Sequence, residues 1–98
     1  MYKLQYAPAS VKYLKKLRNK ELKSRLKAAI YEIAENPYIG EAKIGDLEGI
    51  FGYDVYYDNT NYEIAYTIRN REVIVTIIMV GTREIFYSEL KRYIKRVK

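Results

Sequence analysis

The sequence contains neither cysteine nor histidine. That excludes disulfide frameworks, thiolate nucleophiles, Ser-His-Asp chemistry and the usual zinc sites. Any proton transfer then falls to Tyr, Lys, Asp or Glu. Long apolar runs are missing too. The opening MYKLQYAPAS has no apolar leader core, and no stretch approaches the ~20 residues needed to span a bilayer. The expected place is the cytoplasm, with no membrane partner. There is no internal repeat or low-complexity tract, and 98 residues suffice for one domain, 1–98, with a single modest core.

What the sequence has in excess is basic charge and tyrosine. Lys and Arg outnumber Asp and Glu by 18 to 12, and the net charge of +6 is unevenly spread. Residues 1–35 carry +6, residues 36–72 carry −4 and residues 73–98 carry +4. Basic helical segments flanking an acidic middle suggest a polyanionic partner such as nucleic acid, an acidic protein partner, or both. The twelve tyrosines can stack on bases or cover the faces of a small sheet.

The most informative stretch is VIVTIIMVGTREIFYSELKRY, Val73 to Tyr93. Val73 to Val80 is β-branched throughout except for Met79, apolar on both faces, and predicts a central strand of a covered sheet. Gly81 is expected to end it. Thr82 is a suitable N-cap, with Glu84 in the first turn of a helix running from about Arg83 to Val97. Arg83 and Tyr87 then share a face at the mouth of the junction, where a guanidinium and a phenol could bind a phosphodiester.

Upstream, Tyr2 to Ala7 alternates as a short strand and Pro8 ends it. A helix over about Ala9 to Arg18 turns Val11, Leu14 and Leu17 inward. Asn19 is the expected cap of a second helix, in which Leu22, Leu26, Ala29, Ile30 and Ile33 recur at helical spacing as far as Glu35. Asn36-Pro37 stops it. Tyr38 to Gly52 reads as a loop. Tyr53 to Tyr57 and Tyr62 to Ile68 read as a hairpin around the polar turn Asp58 to Asn61, with Glu63, Ala65, Thr67 and Arg69 on the outward face. The order is β-α-α-β-β-β-α, an α+β domain built from an N-terminal strand, a helical hairpin, a three-stranded antiparallel meander and a C-terminal helix. With the hairpin on one face of the sheet, the other face is expected to be open, bounded by the last helix, and to bind.

In this order and spacing the chain resembles the RelE/ParE superfamily, small basic toxins of toxin-antitoxin pairs. Lys43-Ile44-Gly45-Asp46-Leu47-Glu48-Gly49 is similar to the family's Leu-Lys-Gly-Asp-Leu-x-Gly. Tyr62-Glu63-Ile64-Ala65-Tyr66 stands where the family usually has Tyr-Arg-hydrophobic-x-Tyr, and the central strand runs into Gly81-Thr82-Arg83-Glu84. The resemblance implies a ribosome-dependent endoribonuclease acting on messenger RNA. In it the substrate's own 2′-hydroxyl attacks the adjacent phosphate with no metal and no cofactor, and a cognate acidic antitoxin restrains the activity. It also leaves two alternatives: a ParE-like toxin that binds DNA gyrase and cuts nothing, and a non-catalytic nucleic-acid- or antitoxin-binding module.

By position, Arg83 corresponds to the family's arginine at the end of the last strand, and Tyr87 lies near its C-terminal tyrosine. The central arginine is replaced by Glu63, and Gly52 and Asp54 occupy positions often basic in RNA-cleaving relatives. A carboxylate there repels phosphate unless it is paired or serves as the base. The catalytic candidates are therefore Arg83, Tyr87 and Glu63. A phenol with an ordinary pKa near 10 needs a cationic neighbour to ionise, and Arg83 is the expected one. Lys43, Arg69, Lys91, Arg92 and Lys95 are candidate RNA contacts, the last three in a C-terminal run that continues with Arg96 and Lys98. Ile85, Phe86, Leu90, Ile94 and Val97 on the same helix need a cover. Tyr56, on the face of Asp54, either stacks on a base or covers the sheet.

Overall fold

A computed structural model of the chain describes residues 1–97, the side chains of Ile85 and Val97 excepted. The basic group expected of Lys98 and the apolar contributions expected of Ile85 and Val97 lie outside the described residues.

The chain enters through β1 (Lys3–Tyr6) and turns at Pro8, the first residue of α1 (Pro8–Lys16). Proline suits that position, because the N–H it lacks would have no partner in the helix. Leu17 is already extended, so α1 stops short of Arg18. Asn19 caps α2 (Lys20–Glu35) by accepting from the Leu22 amide at 3.0 Å. The five apolar residues expected to face inward from α2 are all buried.

The segment read as a loop is more ordered than its composition suggests. It holds a two-residue strand, β2 (Glu41–Ala42), short 3-10 turns at Pro37–Ile39 and Gly45–Leu47, and the start of β3 (Phe51–Tyr57). Gly45 and Gly49, with φ of 65° and 94°, make bends that strain any other residue. The Lys43 amide closes the loop onto the Ile50 carbonyl at 2.8 Å. Leu47 is thereby pressed into the core. β3 turns into β4 (Thr60–Arg69) through Asp58 and Asn59 alone, at φ of 50° and 60°, the tight hairpin form in which both residues are left-handed. β4 returns along β5 (Ile74–Thr82), which leads into α3 (Arg83–Val97). Gly81 does not end the strand, because Gly81 and Thr82 still pair with Glu63 and Tyr62.

The sheet order is β1-β5-β4-β3-β2, with β1 parallel to β5 and the remaining pairs antiparallel. On one face Ile64, Tyr66, Val75, Ile77 and Val80 pack with the α2 stripe. On the other, Ala65, Ile78 and Met79 pack with Phe86 and Leu90 of α3 and with Leu47 and Ile50. A register shift opposite Ala65 and Tyr66 inserts Ile78 as an extra residue of β5, so that consecutive Ile78 and Met79 both join the α3-side cluster. The second face is therefore not open, as the sequence led us to expect. Phe86 and Leu90 had to find cover, and the middle of that face is where they find it. A polar strip remains beside the start of α3.

Candidate polar site at the head of the last helix

Alternation along β3 and β4 places Gly52, Asp54 and Tyr56 on the face that carries Glu63 and Ala65. The register sets Asp54 directly opposite Glu63. Two carboxylates so placed, with Cβ atoms about 5 Å apart, repel unless each finds a cation. Each does: Lys43 Nζ lies 2.7 Å from Glu63 Oε2, and Arg83 Nη1 lies 3.3 Å from Asp54 Oδ2.

The two pairs differ in kind. The Lys43 and Glu63 side chains are 7% and 2% exposed, whereas those of Arg83 and Asp54 are 47% and 35% exposed. An exposed pair contributes about 0–1 kcal/mol, so Arg83 can leave Asp54 at little cost. Removing one member of a buried pair costs about 3–5 kcal/mol, so Lys43 is fixed. Gly52 makes room for it. A Cβ at that position would run into Glu63 Oε2 and lie 2.8 Å from Lys43 Cε.

Lys43 also donates to the Tyr87 hydroxyl oxygen at 2.8 Å. An ammonium can only donate, so the phenol oxygen is the acceptor and its own proton stays available to another group. Burial alone would lower the Lys43 pKa. Its hydrogen bonds to Glu63 and Tyr87, with their charges, outweigh burial and hold it above the usual 10.5. The Arg83 pKa is raised chiefly by Asp54, then by Glu63 and Tyr87. Glu41, itself exposed, stands 3.7 Å from Lys43. Glu63 Oε1 is buried without a hydrogen-bond partner among the described residues. A cleft of about 410 Å³ lined by Glu41, Ala42, Lys43, Ile44, Leu47 and Tyr87 adjoins the cluster.

Arg83, Tyr87, Glu63 and Lys43 thus come together, with their parts redistributed. Lys43, rather than Arg83, holds the Tyr87 phenol. Glu63 is a buried counter-ion and not a solvated outward residue, because Lys43 and α3 lie over it. Lys43 is not a free loop charge, because the loop closure turns it inward. Arg69 is not brought to the cluster: it sits six residues beyond Glu63 on β4, roughly 20 Å away at strand rise. Lys91 and Lys95 are exposed and line a groove of about 540 Å³ with Asp46, Leu47 and Ile94, which adjoins the first cleft at Leu47. Arg92 is exposed and pairs with Glu89 at 3.4 Å. Sequence reading missed the clearance at Gly52 and the pairing of Asp54 with Arg83. Alternation along β3 already put both residues on Glu63's face, and that was the signal available. Among the described residues no group of three or more acidic side chains is arranged to hold a metal, and no helix is long and apolar enough to cross a membrane.

A helical hairpin and a C-terminal helix on either side of a small sheet make up the fold of the RelE-like toxins. Residues 4–91 match the model of the ParE-like toxin of type II bacterial toxin-antitoxin systems, and the chain belongs to that family. Among solved structures, the chain is similar to E. coli RelE in the intact RelBE toxin-antitoxin complex, with TM-score 0.67 and 25% identity over 83% of this chain and 95% of that one. It is also similar to a mutant E. coli RelE in complex with a RelBc antitoxin peptide, with TM-score 0.68 and 25% identity over 91% and 93% of the two chains. The Mycobacterium tuberculosis RelBE2 complex shares the fold, with TM-score 0.66 and 23% identity over 84% and 91%. The sequence matches no curated protein.

Proposed function

We propose that this toxin is an endoribonuclease that cuts messenger RNA on the ribosome and is restrained by a cognate acidic antitoxin. The observation that carries the reading is the Tyr87 phenol, held at 2.8 Å by the buried Lys43 ammonium one helical turn from an exchangeable Arg83. In this reading Arg83 leaves Asp54 and grips the non-bridging oxygens of the scissile phosphate with two parallel hydrogen bonds. The 2′-hydroxyl gives its proton to the Asp54 carboxylate that Arg83 has released, and its oxygen bonds to phosphorus. The bond to the 5′ oxygen breaks, and that oxygen takes the Tyr87 proton. Lys43 steadies the phenolate left behind. The products are a 2′,3′-cyclic phosphate and a free 5′-hydroxyl, after which solvent takes the proton from Asp54 and returns one to Tyr87. Glu63, enclosed behind Lys43, acts as a positioning residue.

An antitoxin partner is supported by the relatives solved as toxin-antitoxin complexes. An acidic one suits a net charge of +6 and the groove that carries Lys91 and Lys95. One observation favours a gyrase-binding toxin without nuclease activity: the cations Lys43 and Arg83 are outnumbered by the carboxylates of Glu41, Asp54 and Glu63. The test is cleavage of a defined message on programmed ribosomes by the purified chain. The nuclease reading expects cuts ending in cyclic phosphate, reduced about a hundredfold or more by Arg83→Ala and by Tyr87→Phe. An intact message in the presence of a growth-arresting toxin would replace it with the gyrase reading.

A further inference from the structure

Arg69, too far along β4 to join the polar cluster, belongs to a second group of side chains. The register sets Gln5, Thr76 and Thr67 abreast across β1, β5 and β4, and one step along it sets Lys3, Ile74 and Arg69 abreast. Alternation puts both rows on the sheet face that carries Ile78, the face on which α3 packs. There Gln5, Thr67, Thr76 and Arg69 line a hollow of about 480 Å³, floored by the buried Ile50 and Ile78 and walled by Tyr93 of α3. That volume is within the range of small-ligand sites. Lys3 and Arg69 are exposed and stand on either side of Ile74. Two strand spacings separate their backbones, about 10 Å. Among the described residues neither cation has an ion pair, and no side-chain hydrogen bond occupies Gln5, Thr67 or Thr76. No carboxylate among the described residues lines the hollow, so an anion entering it meets attraction without repulsion.

We infer that this hollow binds a nucleotide, with the phosphate between Lys3 and Arg69 and the base over Ile78 against Tyr93. Two cations so spaced can each donate to a phosphate oxygen, the guanidinium through two parallel bonds. The uncharged row between them and the floor can both donate and accept, as ribose hydroxyls and base edges require. A flat ring loses apolar exposure between an aliphatic floor and an aromatic wall, and every base presents such a ring. The nucleotide is either free or one unit of an RNA strand, since the chemistry that recognises it is the same. Arg69 lies roughly 20 Å from Glu63, so failure of this site leaves the nuclease reading in place.

The test titrates five probes separately into the ¹⁵N-labelled full chain: adenosine 5′-monophosphate, adenosine, inorganic phosphate, a 2′-O-methyl RNA heptamer that cannot cyclise, and a polyglutamate peptide. The monophosphate is expected to shift the amides of residues 3–5, 67–69, 74–76 and 93. It should bind about tenfold or more tightly than adenosine or phosphate alone. Arg69→Ala and Lys3→Ala remove exposed groups that have no partner in the fold, and each should weaken binding about tenfold or more. Thr76→Val keeps the shape, loses the hydroxyl and should weaken it less. Tighter binding of the heptamer at the same amides would assign the nucleotide to a strand. Binding of the monophosphate alone would assign it to a free ligand. Shifts elsewhere or none, phosphate binding as tightly as the monophosphate, or full affinity in Arg69→Ala would overturn the nucleotide site. A polyglutamate peptide that shifts these amides when neither nucleotide does would also overturn it, and would make the hollow a seat for an acidic protein.

Discussion

Glutamine at position 63 keeps the shape of the side chain and removes its charge, which isolates what the carboxylate does for Lys43. The lysine would remain with its side chain 7% exposed and its 2.7 Å partner neutral. Removing one partner of a buried pair costs about 3–5 kcal/mol. For a domain of this size each kcal/mol moves the melting temperature by roughly 4–8 °C. Glu63→Gln should therefore melt at least about 12 °C below the wild type, a large share of the ~5–15 kcal/mol that holds a small domain folded. The double variant Lys43→Met with Glu63→Leu replaces both charges by apolar groups and should recover most of that loss. It should not recover RNA cleavage, because Tyr87 then has no ammonium beside it. Circular dichroism melts and ribosome cleavage assays on the three proteins separate the two effects. A single variant that melts within about 2 °C of the wild type would refute the buried-pair argument, whose magnitude comes from the desolvation cost of a buried charge left unpaired. A double variant that still cuts RNA would refute the coupling of Lys43 to Tyr87.

Gly52→Ala should destabilise the fold comparably, because the new methyl occupies the space of Glu63 Oε2 and Lys43 Cε; thermal melting checks this, and an unchanged melting temperature contradicts it. Stability should decline as the solution is taken above pH 10. The pKa of Lys43 is raised above 10.5, and burial raises that of Tyr66 from 10.0 to about 12. A raised folded pKa means stability that is complete below the unfolded pKa and lost as pH climbs through the folded one, so both groups act in the same sense. Urea melts between pH 8 and 11 measure the slope. Val73 has φ 57°, costly for a β-branched side chain, and it is exposed. Val73→Asn should therefore stabilise by about 1 kcal/mol, read as a rise of some degrees in melting temperature.

The parts of this molecule legible in its sequence are those fixed by local signals. α2 announced itself through the Asn19 cap and a stripe that no other element was needed to explain. β5 did so through its unbroken apolar run, and the hairpin through its polar turn, expected over Asp58 to Asn61 and found at Asp58-Asn59, with Thr60 and Asn61 already paired in β4. β2 was invisible because a strand of two residues has no periodicity and exists only through its pairing with β3. Its register nevertheless delivers Lys43 to Glu63, so the central ion pair of the site was beyond local reading. Alternation put Tyr56 on the face of Asp54 and Glu63 on the outward face of its own strand, and the register joins the two faces into one. Alternation could not show what lies above that face, which depends on where Phe86 and Leu90 find cover. The Gly81 break was misjudged for a related reason: glycine weakens a strand, but here the partner strand continues and keeps it paired.

If the cluster of Lys43, Tyr87 and Arg83 cuts messenger RNA during translation, cleavage must depend both on moving ribosomes and on the Tyr87 phenol. The most direct measurement is primer extension on an abundant message after inducing the chain alone in a bacterial host, with ribosomes active or blocked from initiating, for the wild type and Tyr87→Phe. The predicted result is a set of new 5′ ends that appear only while ribosomes translate and fade in Tyr87→Phe. Growth arrest with the message intact, or cuts that persist undiminished in Tyr87→Phe, would contradict it.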